Sequence, residues 1–396
     1  MNLRIRIISF LLSLASMASF GQEAVVDSLD QARLDSLAIT EADDFVTASI
    51  LVATPGNVLY TCFGHACIRL QCPHYEFDLV YSYESEDVKD KMLSFLKGDL
   101  KMGMMAVSTE LMMEFYTKEG RGVTEYVLNI PVDKRKLLWQ YLDERLKEGI
   151  NLRWDYLNRG CAYACLRAIR AAVSPDTLSF GEWDKKFIKK TRRTLASYQV
   201  KAFPWNYFIL QTIAGVETHQ PYSIVDKVVT PTDLEEVLQK TTLNGKPLVK
   251  SSSTLVKQTV SLKPAGLFTP MLLACILLVL AIISCFWMQR PLSILLLVLQ
   301  SALGLLLTFL LVFSKLPLTD FSWLIIPFNP LSLLLWHWRR WWLLPFAVIC
   351  LGWCIVMLIE RENAWVDPAH IVIVLALIVN YIGQWLQLRK QIKLNK

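Results

Sequence analysis

The sequence predicts an α+β exported domain followed by an all-α membrane domain of about five helices. Three observations support this fold class: a leader-like N-terminal segment, short strands that alternate with amphipathic helical stretches, and long apolar runs after residue 265. With 54% hydrophobic and 19% charged residues, the chain is more apolar than a typical soluble protein. The membrane is therefore an expected partner.

The N-terminal segment has the pattern of a secretory signal peptide. Arg4 and Arg6 precede an apolar run that ends at small residues around Gly21. The alternative is an uncleaved anchor, and in both cases the residues that follow are exported. We therefore expect a signal peptide over residues 1–21 and a periplasmic domain over residues 22–242.

Five apolar segments follow residue 265, and four of them approach the roughly 20 residues that a helix needs to cross the hydrocarbon core. The third is shorter and contains Pro327 and Pro330, so it is either a full crossing or a broken, re-entrant segment. The predicted segments are 266–288, 292–313, 321–336, 341–359 and 369–388.

The distribution of positive charge favours five crossings with the C-terminus in the cytoplasm. Arg290, Arg339 and the basic tail that starts at Arg389 then lie on the inner side of the membrane. This predicts a multi-pass domain in the bacterial inner membrane over residues 266–396. The Ser-, Thr- and Lys-rich stretch 243–265 is interpreted as a linker, either a flexible tether or a loosely ordered strand.

The exported domain combines strands with amphipathic helices. Residues 45–53 predict a buried strand, and residues 65–70 and 77–83 predict a hairpin around a Cys-Pro-His-Tyr turn. Amphipathic helices are predicted over residues 132–148 and from residue 161, where apolar positions recur every four residues.

The register of the hairpin is predicted from charge. If opposed residues sum to 147, Arg69 faces Asp78, and this cross-strand ion pair supports the hairpin structurally. The same register sets His65 opposite Ser82.

Cys161 is the candidate nucleophile, and His65 is the candidate base. Cys161 follows Gly160 at a helix start, where the helix N-terminus lowers the pKa of a thiol. A strand histidine over a helix-start cysteine is a papain-like arrangement. The alternatives are a cysteine that serves as a small core hydrophobe, a satisfied core histidine, and Cys67 as the partner because it shares the face of His65.

Other classes of function have little support in the sequence. The histidines lack metal-ligand spacing and no CxxC pair occurs, so we expect neither a metal nor another cofactor. The net charge of +6 reflects the flanks of the membrane segments, and no nucleic-acid signature is present. Five of the nine cysteines lie in the exported part, and their pairing is left open.

Five stretches together carry a pattern seen in a known family. They resemble the Lnb-type lipoprotein N-acyltransferases of Bacteroides-type bacteria, whose fold is similar to permuted papain-like (NlpC-type) hydrolases and acyltransferases. The stretches are PGNVLYTCFGHACIRL (55–70), LVYSYES (79–85), EGRGVTEYVLNI (119–130), RWDYLNRGCAYACLRAI (153–169) and FPWNYF (203–208).

The resemblance implies a role for several residues. His65 would be the base, Cys161 the nucleophile, and Ser82 the third catalytic residue, at a position where relatives often carry Asn. Gly160 stands where relatives have Asn before the cysteine. The implied activity is that of a thiol-dependent acyltransferase that needs no cofactor.

The implied reaction joins two membrane-anchored substrates. An acyl chain would pass from a phospholipid donor, through a thioester, to the α-amine of a diacylglyceryl-cysteine lipoprotein. Arg121 is a candidate for contact with the phosphate, and Tyr60, in the first motif, is a further candidate for substrate binding. The alternatives are a papain-like phospholipase or peptidase, which would use the same residues, and a non-catalytic membrane scaffold.

Overall fold

The computed structural model divides the chain into two compact units, Met1–Phe45 and Val46–Lys396, and all elements named here belong to the second. The predicted signal peptide and Tyr60 lie outside the described residues. The structure describes residues 40–57, 61–88, 90–153, 155, 160–180, 200, 203–219, 230–261, 266–286, 290–316, 319–333, 339–359 and 366–394.

A seven-stranded antiparallel sheet lies at the centre of the exported part. The bounds are β1 Thr47–Ala53, β2 His65–Cys72, β3 Phe77–Ser85, β4 Lys101–Ser108, β5 Val123–Leu128, β6 Leu152–Arg153, β7 Leu178–Ser179, β8 Thr242–Leu243, β9 Lys246–Pro247 and β10 Val249–Val256. The order in the large sheet is β10-β5-β1-β2-β3-β4-β6, while β7, β8 and β9 form a small second sheet. Strand β1 is apolar along almost its whole length because it lies in the middle of the sheet.

Helices cover both faces of the large sheet. The bounds are α1 Met92–Lys97, α2 Thr109–Glu119, α3 Val132–Lys147, α4 Cys161–Val173, α5 Pro204–Ile213 and α6 Pro231–Lys240. On one face, α3 packs on β3, where Tyr81 donates to Asp143 (2.7 Å), and α4 packs on α3 and β2. On the opposite face, Tyr116 of α2 joins an apolar cluster with Cys67 and Val80.

Helix α4 has the predicted apolar face. Cys165, Ile169 and Val173 are buried at four-residue intervals, as the sequence pattern predicts. Complete burial of a side chain such as Ile169 stabilises the fold by about 1.5–3 kcal/mol. The start of α4 is thereby held firmly against the sheet.

The β2–β3 hairpin corrects the predicted register. Opposed residues sum to 149, so that Arg69 faces Val80. The predicted sum of 147, which set Arg69 opposite Asp78 and His65 opposite Ser82, is wrong by two residues.

The turn explains this difference. A 3-10 turn over Pro73–Tyr75 is closed by Glu76 in the left-handed region (φ 51), which centres the hairpin one residue later than predicted. A shift of two residues keeps every side chain on its own face of the sheet. Arg69 therefore still reaches Asp78, by a diagonal contact instead of a direct one.

Strand β10 decides between the two alternatives predicted for the stretch 243–265. Val249–Val256 pairs with β5 at the edge of the sheet, so these residues form a strand, the second alternative, and not a flexible tether. Their Ser- and Thr-rich composition resembles a linker because six of the eight residues are exposed at the edge. The domain boundaries at 242 and 266 remain predictions.

Four described helices follow the sheet: α7 Pro270–Phe286, α8 Arg290–Phe313, α9 Arg339–Ile359 and α10 Pro368–Leu394. Three stretches are long and apolar enough to cross a membrane, whereas α7 is an apolar helix of only 17 residues. The prediction of about five helices is therefore not confirmed. The three stretches are Pro291–Phe313, Trp341–Ile359 and Pro368–Leu394.

The segment predicted over 321–336 is not a helix as far as the structure describes it. It forms a 3-10 turn over Trp323–Ile325 and further turns up to residue 333. Pro327 and Pro330 account for this, because proline lacks the N–H and clashes with the preceding helical turn. The segment is therefore broken, while its crossing of the membrane, the point on which the two alternatives differ, stays a prediction.

The broken segment nevertheless extends along the helices. Near its start, Val216 of the exported part donates to the carbonyl of Phe321 (2.9 Å). Further along, the indole of Trp353 in α9 donates to the carbonyl of Trp323 (2.9 Å).

Further contacts, with α8 and α10, lie farther from the exported part. Gln300 of α8 donates both to the carbonyl of Pro327 (2.8 Å) and to the hydroxyl of Tyr381 in α10. The ring of Trp342, near the start of α9, lies 5.8 Å from that of Tyr381. Since α10 begins beside the exported part at His370, Tyr381 lies about 16 Å along the helix from it. The chain therefore moves well away from the exported part between α8 and α9.

Candidate active site

His65 lies at the start of β2, next to a strained turn. Gly64 has φ 83, a conformation that favours glycine, and a side chain there would meet the carbonyl of Ala53. The turn brings the chain into β2 directly beside β1. His65 is thus placed at the end of the sheet, with its side chain 17% exposed.

Cys161 is the first residue of α4. Gly160 before it has no side chain, so it does not cap the N–H groups of the first helical turn. The thiol hydrogen-bonds to the imidazole of His65 and accepts from the N–H of Ala66. The structure therefore brings together the two residues that the sequence nominates as nucleophile and base.

Ser82 and Glu84 of β3 lie beside the imidazole. The Nε2 atom of His65 is 2.6 Å from the Ser82 hydroxyl, which donates to Glu84 Oε1 (2.7 Å). Because the single hydroxyl proton goes to Glu84, Ser82 accepts from Nε2–H. This leaves Nδ1 of His65 for the thiol of Cys161.

Glu84 is a residue that the sequence reasoning missed. Its carboxylate lies 3.4 Å from Nε2 of His65, close enough for a strong electrostatic attraction. Continued to the start of β2, the observed register sets His65 level with Glu84. The signal was the spacing of Ser82 and Glu84, which lie on one face of a strand, but the predicted register concealed it.

The electrostatics favour a thiolate–imidazolium pair. Burial alone would lower the pKa of His65, but the charges of Cys161 and Glu84 outweigh it and raise that pKa to about 10. For Cys161, burial would raise the pKa, whereas the charge and hydrogen bond of His65 lower it below the ordinary thiol value. The arrangement therefore favours the thiolate of Cys161 more than an isolated thiol would.

The end of the sheet that carries this site lies beside the membrane helices. Helix α1 follows β3 at this end, and the carbonyl of Lys97 at its last turn accepts from the N–H of Lys315 (2.9 Å). Lys315 comes two residues after α8, one of the candidate spans.

A second connection leads from the segment before His65 to the membrane part. The thiol of Cys62 hydrogen-bonds to Asn206 of α5. The neighbouring Trp205 donates to the carbonyl of Phe268 (2.8 Å) and stacks on its ring, just before α7. Two separate contacts therefore hold the site close to the membrane helices.

Comparison with known proteins identifies the exported part. Residues 38–197 match the family described as Lnb N-terminal periplasmic domain. The chain contains an Lnb domain. This confirms the predicted family, and the matched range includes every predicted site residue from Tyr60 to Cys161. Neither a curated protein nor a solved structure matches the chain.

The Lnb domain and the apolar helices define the class of protein. The chain is a membrane protein with a periplasmic domain and three candidate membrane helices. Its domain suggests an enzyme of the Lnb type that modifies lipoproteins.

The predicted pair of Arg69 and Asp78 lies inside the sheet of the Lnb domain. Arg69 donates through Nε and Nη2 to the two carboxylate oxygens of Asp78 (2.8 and 2.6 Å), and through Nη1 to Glu125 of β5 (2.9 Å). Burial would raise the pKa of Asp78, but hydrogen bonds from Arg69 and Thr109 hold it below its ordinary value. Arg69 thus links β3 with β5 on the face that carries His65.

Arg121 is buried in the Lnb domain instead of lying open to a phosphate. Its Nε donates to the carbonyl of Thr54 (2.7 Å), and its Nη1 contacts Glu119 (3.1 Å). The guanidinium lies over the ring of Tyr116, 4.9 Å from the centroid, and Nη2 has no hydrogen-bond partner. These contacts make Arg121 part of the support behind the site, while the role of Tyr60 remains a prediction.

Cys67 and Cys165 are poor nucleophiles by comparison with Cys161. Burial raises the pKa of Cys67 and of Cys165 well above the ordinary thiol value. All nine cysteines are free thiols in the structure. Within the described part of the chain, no three His, Cys, Asp or Glu side chains are arranged to hold a metal ion.

Proposed function

We propose that the chain is a lipoprotein N-acyltransferase that uses Cys161 as nucleophile and His65 as base. The observation that carries this proposal is the thiol–imidazole contact at an end of the sheet that is fixed beside the membrane helices. A thiolate at this place can reach the head of a lipid without requiring the lipid to leave the bilayer.

The first step is transfer of an acyl chain to the enzyme. The thiolate of Cys161 attacks the ester carbonyl of a glycerophospholipid, and N–H groups at the start of α4 stabilise the oxyanion. The ester C–O bond then breaks, and the lysophospholipid alkoxide takes the proton from the imidazolium of His65. The products of this step are an acyl thioester and a neutral imidazole.

The second step transfers the acyl chain to the lipoprotein. The α-amine of the diacylglyceryl-cysteine attacks the thioester carbonyl, and His65 accepts the proton that the amine loses. The C–S bond breaks, which yields an amide and restores the thiolate–imidazolium pair. Ser82 and Glu84 hold the imidazole in one orientation through both steps, and Arg69 with Asp78 supports the strands that carry them.

The proposal includes a fold relationship and an orientation. The order of histidine strand, polar strand and cysteine helix is the one expected of a permuted papain-like domain. The domain would lie on the periplasmic face of the inner membrane, where both substrates are anchored. Because the broken third segment leads away from the domain, the C-terminus of α10 would lie in the cytoplasm.

The decisive experiment is detection of the acyl-enzyme. The purified full-length protein is incubated with phosphatidylethanolamine of a single acyl composition, and its intact mass is measured without an acceptor. We expect an increase equal to one acyl chain that hydroxylamine removes. Cys161→Ala should abolish the adduct, whereas the control Cys165→Ala should retain it.

The acceptor separates acyl transfer from hydrolysis. Addition of a synthetic diacylated lipopeptide should yield its N-acyl form. Free fatty acid without the amide product would indicate a phospholipase, and cleavage of the peptide would indicate a peptidase. Full complementation of a deletion strain by Cys161→Ala would leave a scaffold as the remaining explanation.

A further inference from the structure

Helix α1 is fixed at the level of the bilayer surface. The candidate span Pro291–Phe313 has 23 residues, which corresponds to about 34 Å of helix, close to the thickness of the hydrocarbon core. Lys315, just after it, therefore belongs to the interfacial zone. Since its N–H donates to the carbonyl of Lys97, the end of α1 lies at the same level.

The contact between α1 and the end of α8 is close. Gly98 follows α1 with φ 71, and a side chain there would come within about 3 Å of the backbone of Lys315 and Leu316. The ammonium group of Lys315 also lies 3.3 Å from Asp99. Because α1 has six residues and a length of about 9 Å, its first turn cannot lie far from this level.

The first turn of α1 presents two large apolar side chains to the surroundings. Met92 is 52% exposed and Leu93 is 59% exposed. The end of α8, to which α1 is attached, has Val312 and Phe313 exposed to the same extent or more. A single exposed leucine on a soluble protein needs no explanation, but these two residues lie on a short helix whose end is attached to the end of a candidate membrane helix.

The charges around α1 suit an interfacial position. Lys91 at its start and Lys97 at its end have long side chains that can place ammonium groups among anionic headgroups. The nearby carboxylates are occupied: Glu86 pairs with Lys91 (2.6 Å) and Asp99 with Lys315. Asp90 also lies in this segment, so that the attraction is modest and the apolar residues dominate.

We propose that α1 inserts Met92 and Leu93 into the outer leaflet, at the boundary between headgroups and acyl chains. The partner of this surface is the phospholipid of the bilayer itself. Helix α1 connects β3, which carries Ser82 and Glu84, with β4. The inserted turn therefore lies at the same end of the sheet as His65, and its contact with lipid does not depend on which reaction the site performs.

Photocrosslinking of the full-length chain tests this proposal. The photoreactive residue p-benzoylphenylalanine is introduced in place of Leu93, and the protein is reconstituted in nanodiscs of phosphatidylethanolamine and phosphatidylglycerol. The matched control is the same residue in place of Leu111, which is 53% exposed. Leu111 lies in the first turn of α2, which follows the opposite end of β4.

We expect a phospholipid adduct on the tryptic peptide that contains position 93 and none on the peptide that contains position 111. Equal adducts at both positions, or none at position 93, would overturn the proposal. Thermal unfolding of both variants is measured in the same nanodiscs. A transition at the temperature of the unsubstituted protein shows that the crosslinks report on the folded protein. The result is independent of acyl transfer, since a crosslink forms whether or not Cys161 carries an acyl chain.

Discussion

At the scale of single residues, the imidazole of His65 is held by two partners on β3 instead of one. An Asn, which the family resemblance leads us to expect as the third residue, would orient the ring by a single neutral hydrogen bond. Here Ser82 provides the short hydrogen bond, and Glu84 adds a full negative charge 3.4 Å from Nε2. The charge compensates for the weaker orientation by serine, because it favours the protonated ring.

The pH dependence of transfer should reveal this arrangement. Activity should rise with pH as the thiol of Cys161, whose pKa is lowered, becomes ionised. It should fall as pH rises through about 10, where His65 loses the proton that the leaving group needs. Because Cys161 and His65 titrate as a coupled pair, the two apparent pKa values of the profile describe the pair and not either residue alone.

Glu84→Gln should shift the basic limb of this profile. Removal of the carboxylate lowers the pKa of His65, so the limb should move down by about one pH unit or more. The measurement is the pH profile of kcat/KM for acyl transfer. The control is Glu86→Gln, two residues along, whose carboxylate pairs with Lys91. An unchanged basic limb in Glu84→Gln would show that the carboxylate does not act on the ring.

The sequence predicts part of this site. His65 and Cys161 could be predicted because a glycine-flanked histidine at a strand start and a cysteine at a helix start are local patterns in the sequence. Glu84 was not, because its contact depends on a hairpin register that the 3-10 turn shifts by two residues. The same shift left the pair of Arg69 and Asp78 in contact, so that a correct contact followed from a wrong register.

At the scale of elements, the broken segment between α8 and α9 depends on a close approach to α8. A side chain at Gly304 would come within about 3 Å of the backbone of Phe328 and Pro330. The absence of a side chain at Gly304 lets the segment pack directly on the helix, where Gln300 satisfies the carbonyl of Pro327. Irregular backbone at this depth is tolerated only because protein groups meet its polar atoms.

Gly304→Leu should therefore destabilise the membrane part. The leucine side chain would displace the broken segment, at a cost near the upper end of the about 1–3 kcal/mol that overpacking usually causes. The matched control is Gly352→Leu in α9, where an added Cβ atom would meet nothing within 4 Å. Thermal unfolding in detergent should show a lower Tm for the first variant and little change for the second. Equal Tm values would contradict the packing argument.

Elements in which apolar residues recur with a clear periodicity were predictable from the sequence, and elements without that periodicity were not. Helix α3 and strand β3 lie within two residues of their predicted bounds, because burial imposes a clear pattern on both. Strand β10 was interpreted as part of a linker because an exposed edge strand needs no apolar residues. The third membrane segment remained ambiguous because composition alone cannot show whether prolines kink a helix or abolish it.

At the scale of the whole molecule, the proposed orientation sets the two ends of the membrane part on opposite sides of the bilayer. Helix α7 would run inward and α8 outward, the broken segment would return the chain to the inner side, and α9 and α10 would then run outward and inward. An odd number of crossings then separates the Lnb domain from the C-terminus of α10.

Reporter fusions test this orientation. Alkaline phosphatase fused after residue 394 should be inactive, and green fluorescent protein at the same place should fluoresce. A fusion after residue 361, between α9 and α10, should show the reverse and serves as the control. Active phosphatase at the C-terminus would mean that the broken segment turns back without crossing.

Three hydrogen bonds between the exported part and the membrane part share one property. Lys315 to Lys97, Val216 to Phe321 and Trp205 to Phe268 all end on a main-chain carbonyl, and the first two also start from a main-chain N–H. Every residue except proline offers the same pair of main-chain groups, so most side-chain substitutions leave the groups of the first two hydrogen bonds in place. The distance from the thiol of Cys161 to the lipid can therefore be preserved while the two halves of the protein diverge in sequence.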